Sequence, residues 1–164
     1  AWMVLEKLSF YQQLRWDKKF KGEYAKSMNP EMILLKPMTL MNKSGESVSA
    51  ALSFYKAGSE DLMVIHDDLE LPFGTVQIKK GGGAGGHNGL RSIINLTGSS
   101  SFYRFRLGIS RPPAGRDVSS WVLNRFSPEE EAWLPEYCSK AADLLQKTCE
   151  QPLSAGERIK LISY

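Results

Sequence analysis

Acidic residues are missing from the middle of this sequence. From Leu71 to Arg116 there is no Asp or Glu, although the 164-residue chain holds 18 of them elsewhere. The same window carries Lys79, Lys80, Arg91, Arg104, Arg106, Arg111 and Arg116, seven of the 21 basic residues, so it bears +7. The remainder, 14 basic and 18 acidic, bears −4. Such asymmetry is what a polyanion partner selects, nucleic acid being the simplest, although a solvated basic face looks the same in sequence. Cysteine is also scarce: only Cys138 and Cys149 occur, eleven positions apart on one helical pattern. At ~1.5 Å per residue they stand ~16 Å apart along the axis, too far for the ~7 Å that a disulfide tolerates, so both are expected as thiols of a cytoplasm-like compartment. Two histidines and no Cys-x-x-Cys leave no convincing zinc site. No apolar run approaches the ~20 residues that span a bilayer, and none with a basic flank stands at the start.

What is present reads as one α/β domain over residues 1–164. Trp2, Leu5, Leu8 and Tyr11 or Gln12 follow a helical spacing across residues 2–14. Met32–Leu35, bounded by Pro30 and Pro37, reads as a buried strand. A helix carries Val48, Ala51, Leu52 and Tyr55 on one face, with Gly58 as its stop. Leu62–Ile65 is a continuous apolar strand ending in charge, and "GTVQIKK" alternates as a second. After a glycine-rich loop, Leu90, Ile93, Ile94 and Leu96 mark a helix that Gly98 ends. "FYRFRLGIS" sends Phe105, Leu107 and Ile109 one way and Arg104 and Arg106 the other, a basic stripe matching Lys79 on the neighbouring pattern. Ser127, Pro128 and three glutamates open a long helix as cap, first position and first turn. The alternation predicts helices on both faces of a mostly parallel, mixed sheet, a three-layer α/β/α fold.

Three stretches carry chemistry. "GGGAGGHNGL", residues 81–90, satisfies G-x-G-x-x-G, but the acidic residue that a dinucleotide fold needs about 20 positions on is absent, and Arg104 and Arg106 stand there instead. A loop of glycines that lets a bulky ligand approach, opening a helix whose N–H groups face an anion, fits better. His87 and Asn88 stand at that helix start, where Asn88 also suits an N-cap. In "PMTLMNKSG", residues 37–45, Asn42 and Ser44 both precede a helix that needs one cap, leaving a polar side chain to spare. In "VIHDDLELPFG", residues 64–74, His66, Asp67 and Asp68 come where a buried strand runs out, the usual place for functional groups in an open sheet. A carboxylate there binds metal, orients a histidine or caps a turn.

"KPMTLMNKSG", "VIHDDLELPFG", "KKGGGAGGHNGL" and "YRFRLGISRP", in this order and spacing, resemble the bacterial-type peptidyl-tRNA hydrolases over nearly the whole chain. The resemblance implies a monomeric, cytoplasmic α/β/α enzyme that frees tRNA by hydrolysing the ester to a stranded peptide, with tRNA as partner and no metal or organic cofactor. It assigns Asn42 and Asn88 to the groove that positions substrate and water. Asp67 becomes the carboxylate that orients the catalytic histidine, and His87 a groove histidine. Leu40 falls where an aromatic residue often contacts the substrate. Lys79, Arg104 and Arg106 match a basic patch for tRNA phosphates, with Gln77 where a second lysine is common.

Members of that family also carry, ahead of the position matching "AWMVLEKL", a strand and a T-R-H-N-x-G motif whose histidine is the general base. The sequence given starts just after it, and the expectation is that the native protein has this segment. A second reading keeps the RNA-binding surface without turnover, as in splicing-factor relatives; Trp121, Phe126 and Trp133 would then contribute to a partner patch rather than to core packing.

Overall fold

The computed structural model describes residues 1–150, 156 and 158–162. Contacts divide the chain into two compact units. One comprises residues 1–9, 65–79 and 104–164, the other residues 10–64 and 80–103. The chain crosses between them four times, three of the crossings falling within strands.

The first unit contains α1 (Trp2–Leu5), most of the strands β4 (Met63–Asp68), β5 (Thr75–Lys80) and β6 (Tyr103–Gly108), the helices α4 (Val118–Leu123) and α5 (Pro128–Glu150), and the short strand β7 (Arg158–Lys160). The sheet runs in the order β4-β6-β5-β7. Tyr103 N–H bonds to Leu62 O and Ile109 N–H to Asp68 O at the same sequence offset, so β6 runs parallel to β4, whereas β5 and β7 pair antiparallel. Leu71, Val76, Phe105 and Ala141 are wholly buried at the centre of this core. Tyr137 of α5 donates its hydroxyl hydrogen to Thr75 O at 2.8 Å and lies 3.3 Å from Gly108 O. Burial pushes that hydroxyl far above the usual phenol value, which keeps it a donor. The start of α5 is as expected: Ser127 Oγ accepts from Glu130 N–H at 3.2 Å and Glu130 returns a bond to Ser127 N–H at 3.0 Å, a full capping box.

The second unit holds an antiparallel meander of β1 (Trp16–Lys19), β2 (Gly22–Met28) and β3 (Glu31–Pro37), followed by α2 (Ser44–Tyr55) and α3 (Asn88–Thr97). Its core is Val48, Leu90, Ile93 and Phe102, with Leu35, Leu52 and Val64 packed against them. Gly45 lets the two helices close: a Cβ there would lie 2.2 Å from Ser92 O, and Gly45 N–H instead donates to Ser92 Oγ at 3.0 Å.

The α/β class and a mixed sheet are as the sequence implies, but the antiparallel share is larger, because residues 16–37 form three strands where the sequence shows one. Two helix ends also differ. The first helix covers only Trp2–Leu5, after which Lys7 and Leu8 bond three residues back in a tighter course. Lys56, at φ 52°, ends α2 in the left-handed region, while Gly58 is extended and belongs to the next turn. Gly98 does end α3, at φ 70°. Both cysteines are free thiols; Cys138 is buried, which raises it above its ordinary value, and Cys149 is exposed.

Candidate active site

The second unit presents the asparagines. Asn42 lies in a single 3-10 turn, Met41–Lys43, and is exposed; it caps nothing, and Ser44 bonds back to Met41 O at 2.9 Å instead of capping α2. His87, not Asn88, is the N-cap of α3: its Nδ1 accepts the Leu90 N–H at 3.2 Å. An acceptor nitrogen carries no hydrogen, so in the neutral ring Nε2 carries it. Asn88 is therefore released from capping and exposed, with its carbonyl oxygen 3.3 Å from Arg91 Nη1. The two asparagines come from adjacent segments, since a Cβ on Gly89 would meet Met41 Sδ at 2.7 Å and His87 Cε1 at 2.9 Å. Leu40 is 70% exposed, and Met38 and Met41 are exposed beside it. The methionines escape sequence reasoning because "MTLM" looks like core; their lack of cover is a tertiary fact.

In the glycine loop, Gly81, Gly82, Gly85 and Gly86 all have positive φ, from 55° to 104°. The loop thus owes its composition first to backbone conformation, which L side chains adopt at a cost. Around Gly85 and Gly86 an added Cβ would meet nothing within 4 Å, so the loop is also open.

The first unit presents the carboxylate. Asp67, in the last part of β4, is half-buried and lines an open cavity of about 750 Å³ together with Leu107, Ile109, Trp121, Phe126 and Tyr137. Its strand neighbours are held. His66 is buried with Nδ1 2.8 Å from Asp67 O, and Asp68 is paired to Arg106 at 2.7 Å. Trp121 Nε1 donates to Ser110 O at 3.1 Å and Phe126 packs on Phe73, so these aromatics serve packing within the unit.

The basic stripe differs from its sequence pattern. Lys79 is exposed at the end of β5, but Arg104 is only 5% exposed and Arg106 is engaged by Asp68 and by Gln77 Oε1. Burial lowers the Arg104 pKa first, and neighbouring Arg106 lowers it further. Arg111 pairs with Glu70. Asp68 and Glu70 both stand just ahead of the acid-free window, so two of its seven charges are neutralised from outside it. Among the described residues no cluster of His, Cys, Asp and Glu has the makings of a metal site.

The second unit presents open carboxamide donors beside a glycine loop at a helix start, and the first presents a strand-end carboxylate; each is a type of group that acyl-bond hydrolysis uses. The chain belongs to the peptidyl-tRNA hydrolase family, whose model matches residues 1–160. It is 47% identical to peptidyl-tRNA hydrolase of Geotalea daltonii over 156 residues, 93% of this chain and 81% of that one. It is 44% identical to the Treponema pallidum protein of the same name, covering 99% and 87%. The crystal structure of peptidyl-tRNA hydrolase from Acinetobacter baumannii superposes with a TM-score of 0.72 at 31% identity, over 92% of this chain and 80% of that one.

Proposed function

We propose that this protein hydrolyses the ester between peptide and tRNA in peptidyl-tRNA, releasing peptide and a reusable tRNA. The observation that carries the reading is the pair of asparagines, Asn42 and Asn88, exposed on neighbouring segments beside the open glycine loop and excused from capping. In this reading their carboxamides donate to the ester carbonyl oxygen as negative charge develops on it, an interaction worth ~10²–10³ in rate per donor. His87 joins them with its Nε2 hydrogen. Water is the nucleophile. Asp67 orients and stabilises, in its protonated form, the histidine that the resemblance gives as general base.

Leu40 offers an apolar contact to the substrate. Lys79 carries the phosphate contact of the stripe, being exposed where Arg104 and Arg106 are not. We take residues 1–164 as part of one domain, working as a monomer in the cytoplasm; two free thiols and the absence of a membrane-crossing helix among the described residues are compatible with that. No metal or organic cofactor enters the scheme.

Release of free tRNA from N-blocked aminoacyl-tRNA by the full-length protein tests the reading. Turnover that Asp67→Ala and Asn88→Ala both depress is expected. Absent turnover with intact, salt-sensitive RNA binding would overturn it.

A further inference from the structure

The helix α2 begins without a cap of its own. Lys43, its N-cap residue, makes no capping bond, and Ser44 turns its hydroxyl back to Met41 O at 2.9 Å. The first N–H groups of a helix have no partner within it. One of them, Gly45 N–H, is nevertheless satisfied: it donates to Ser92 Oγ at 3.0 Å, across the buried seam between α2 and α3. Ser92 is itself buried. From the neighbouring helix it does for α2 what a capping serine does for its own.

The seam is tight on both sides of Asn42. A Cβ on Gly45 would stand 2.2 Å from Ser92 O and 2.9 Å from Ile93 N, so α2 rests directly on the backbone of α3. One turn nearer the start of α3, a Cβ on Gly89 would meet Met41 Sδ at 2.7 Å. The turn that carries Asn42 is in turn tied to α2, since Lys43 N–H donates to Leu40 O at 2.8 Å and Ser44 Oγ to Met41 O. Asn88 stands one turn ahead of Ser92 on α3. The Gly45–Ser92 bond therefore joins the segment bearing one asparagine to the helix bearing the other. Glycine packed on a helix backbone sets how near two helices come, not how far one slides along the other. A hydrogen bond, with its narrow range of length and angle, sets the slide.

We propose that Ser92 is a positioning residue whose hydroxyl fixes the spacing of the Asn42 and Asn88 carboxamides. This deepens the hydrolase reading and rests on it. Two donors that serve one carbonyl oxygen each have to lie ~2.7–3.1 Å from it in the transition state. A slide of about 0.5 Å takes one of them out of range while leaving both side chains intact.

The test uses the full-length protein, N-blocked aminoacyl-tRNA, and the variants Ser92→Ala, Ser92→Thr, Asn88→Ala and the double variant of Ser92→Ala with Asn88→Ala. Thermal midpoints and hydrogen exchange at the Gly45 amide accompany the kinetics. Ser92→Ala is expected to lower kcat roughly 10-fold, a fraction of the ~10²-fold that a 1 Å misplacement costs. KM stays as in the parent, because the lost interaction belongs to the transition state. Gly45 N–H loses its protection. Ser92→Thr, which keeps the hydroxyl, retains both the protection and most of kcat. In the Asn88→Ala background, Ser92→Ala adds little further loss, because spacing has no meaning once one donor is gone.

The proposal is overturned if Ser92→Ala keeps kcat, or if it raises KM alone. The same roughly 10-fold loss repeated in the Asn88→Ala background would show that Ser92 acts independently of the asparagine pair. A folded Ser92→Thr that protects Gly45 yet turns over as slowly as Ser92→Ala counts against it too. So does a kcat loss that follows the thermal midpoint and vanishes on cooling, the mark of a merely structural bond. Should the extra methyl of Ser92→Thr prevent folding, the double-variant comparison decides alone. Failure of the hydrolase reading looks different: the parent protein itself then shows no turnover, and the positioning role falls with it.

Discussion

The two units use their polar side chains in opposite ways. In the second, Asn42 and Asn88 stand exposed; His87 performs the capping of α3 that the sequence pattern had offered to Asn88, and α2 has no N-cap side chain of its own. In the first, Arg104 is buried, Arg106 is tied to Asp68 and Gln77, and Arg111 pairs with Glu70. The unit with the modest sequence signal keeps its two motif asparagines exposed, and the unit with the loud charge signal has engaged much of its own. Charge counted along a chain is thus not charge on a surface. What matters is whether an acid a few positions outside the window folds back onto it.

Substitutions that separate exposed from engaged groups sharpen this contrast. The largest effect is expected from Asn88→Ala and Asn42→Ala: on the order of 10²–10³ in kcat. Both positions are exposed, so stability should stay within about ±0.5 kcal/mol of the parent. A large loss of stability in either would break the contrast. Arg106→Met should do the reverse to stability, costing on the order of 3 kcal/mol, the lower end for breaking a buried pair, less whatever the residual exposure of the two side chains screens. At about 2–4 °C per kcal/mol for a chain of this size, calorimetry will read it.

Next comes Gly86→Ala. Its φ of 83° should cost about 1–2 kcal/mol in the loop, visible as a lowered midpoint or a loosened loop by hydrogen exchange. The acid limb of stability comes fourth. Asp68 has a folded pKa below its unfolded one, so its contribution is fully present above the unfolded value near ~3.9 and is lost as pH falls through the lowered folded value. Asp68→Asn should flatten acid unfolding in that window, and an unchanged profile would mean the pair is no stronger than an exposed one. Smallest is Lys79→Ala, expected to cost about 1 in the salt slope of tRNA binding and leave kcat alone.

The long capped helix, the positions of the apolar strands β3 and β4 and the glycine loop were legible because each has a local cause: a cap, an apolar run, a need for positive φ. The burial expected of those strands was not met, since β3 alternates with Ile33 exposed and β4 is mostly half-buried. The β1–β2 hairpin was not legible. Its first strand, "WDKK", lies with three of four residues exposed and so lacks apolar alternation. Its turn places Phe20 and Lys21 at φ 56° and 52°, positions where Gly, Asn or Asp would have announced a hairpin. Phe20 holds that conformation by packing against Tyr24, Phe54 and Tyr55, contacts no local window contains. The site divides the same way. Asn42, Asp67, His87 and Asn88 are legible as motif residues, but which residue caps α3, and where Arg106 spends its donors, are facts of the folded chain.

Gly83 has a consequence for mutational tolerance. Gly81, Gly82, Gly85 and Gly86 owe their identity to positive φ, but Gly83 has no such φ, and a Cβ there would touch nothing within 4 Å. The fold itself would accept alanine at that one place. A saturation library across the loop, scored separately for folding and for turnover, therefore contains its own internal control: depletion at Gly83 in the turnover screen alone would measure the room that the substrate, not the protein, requires.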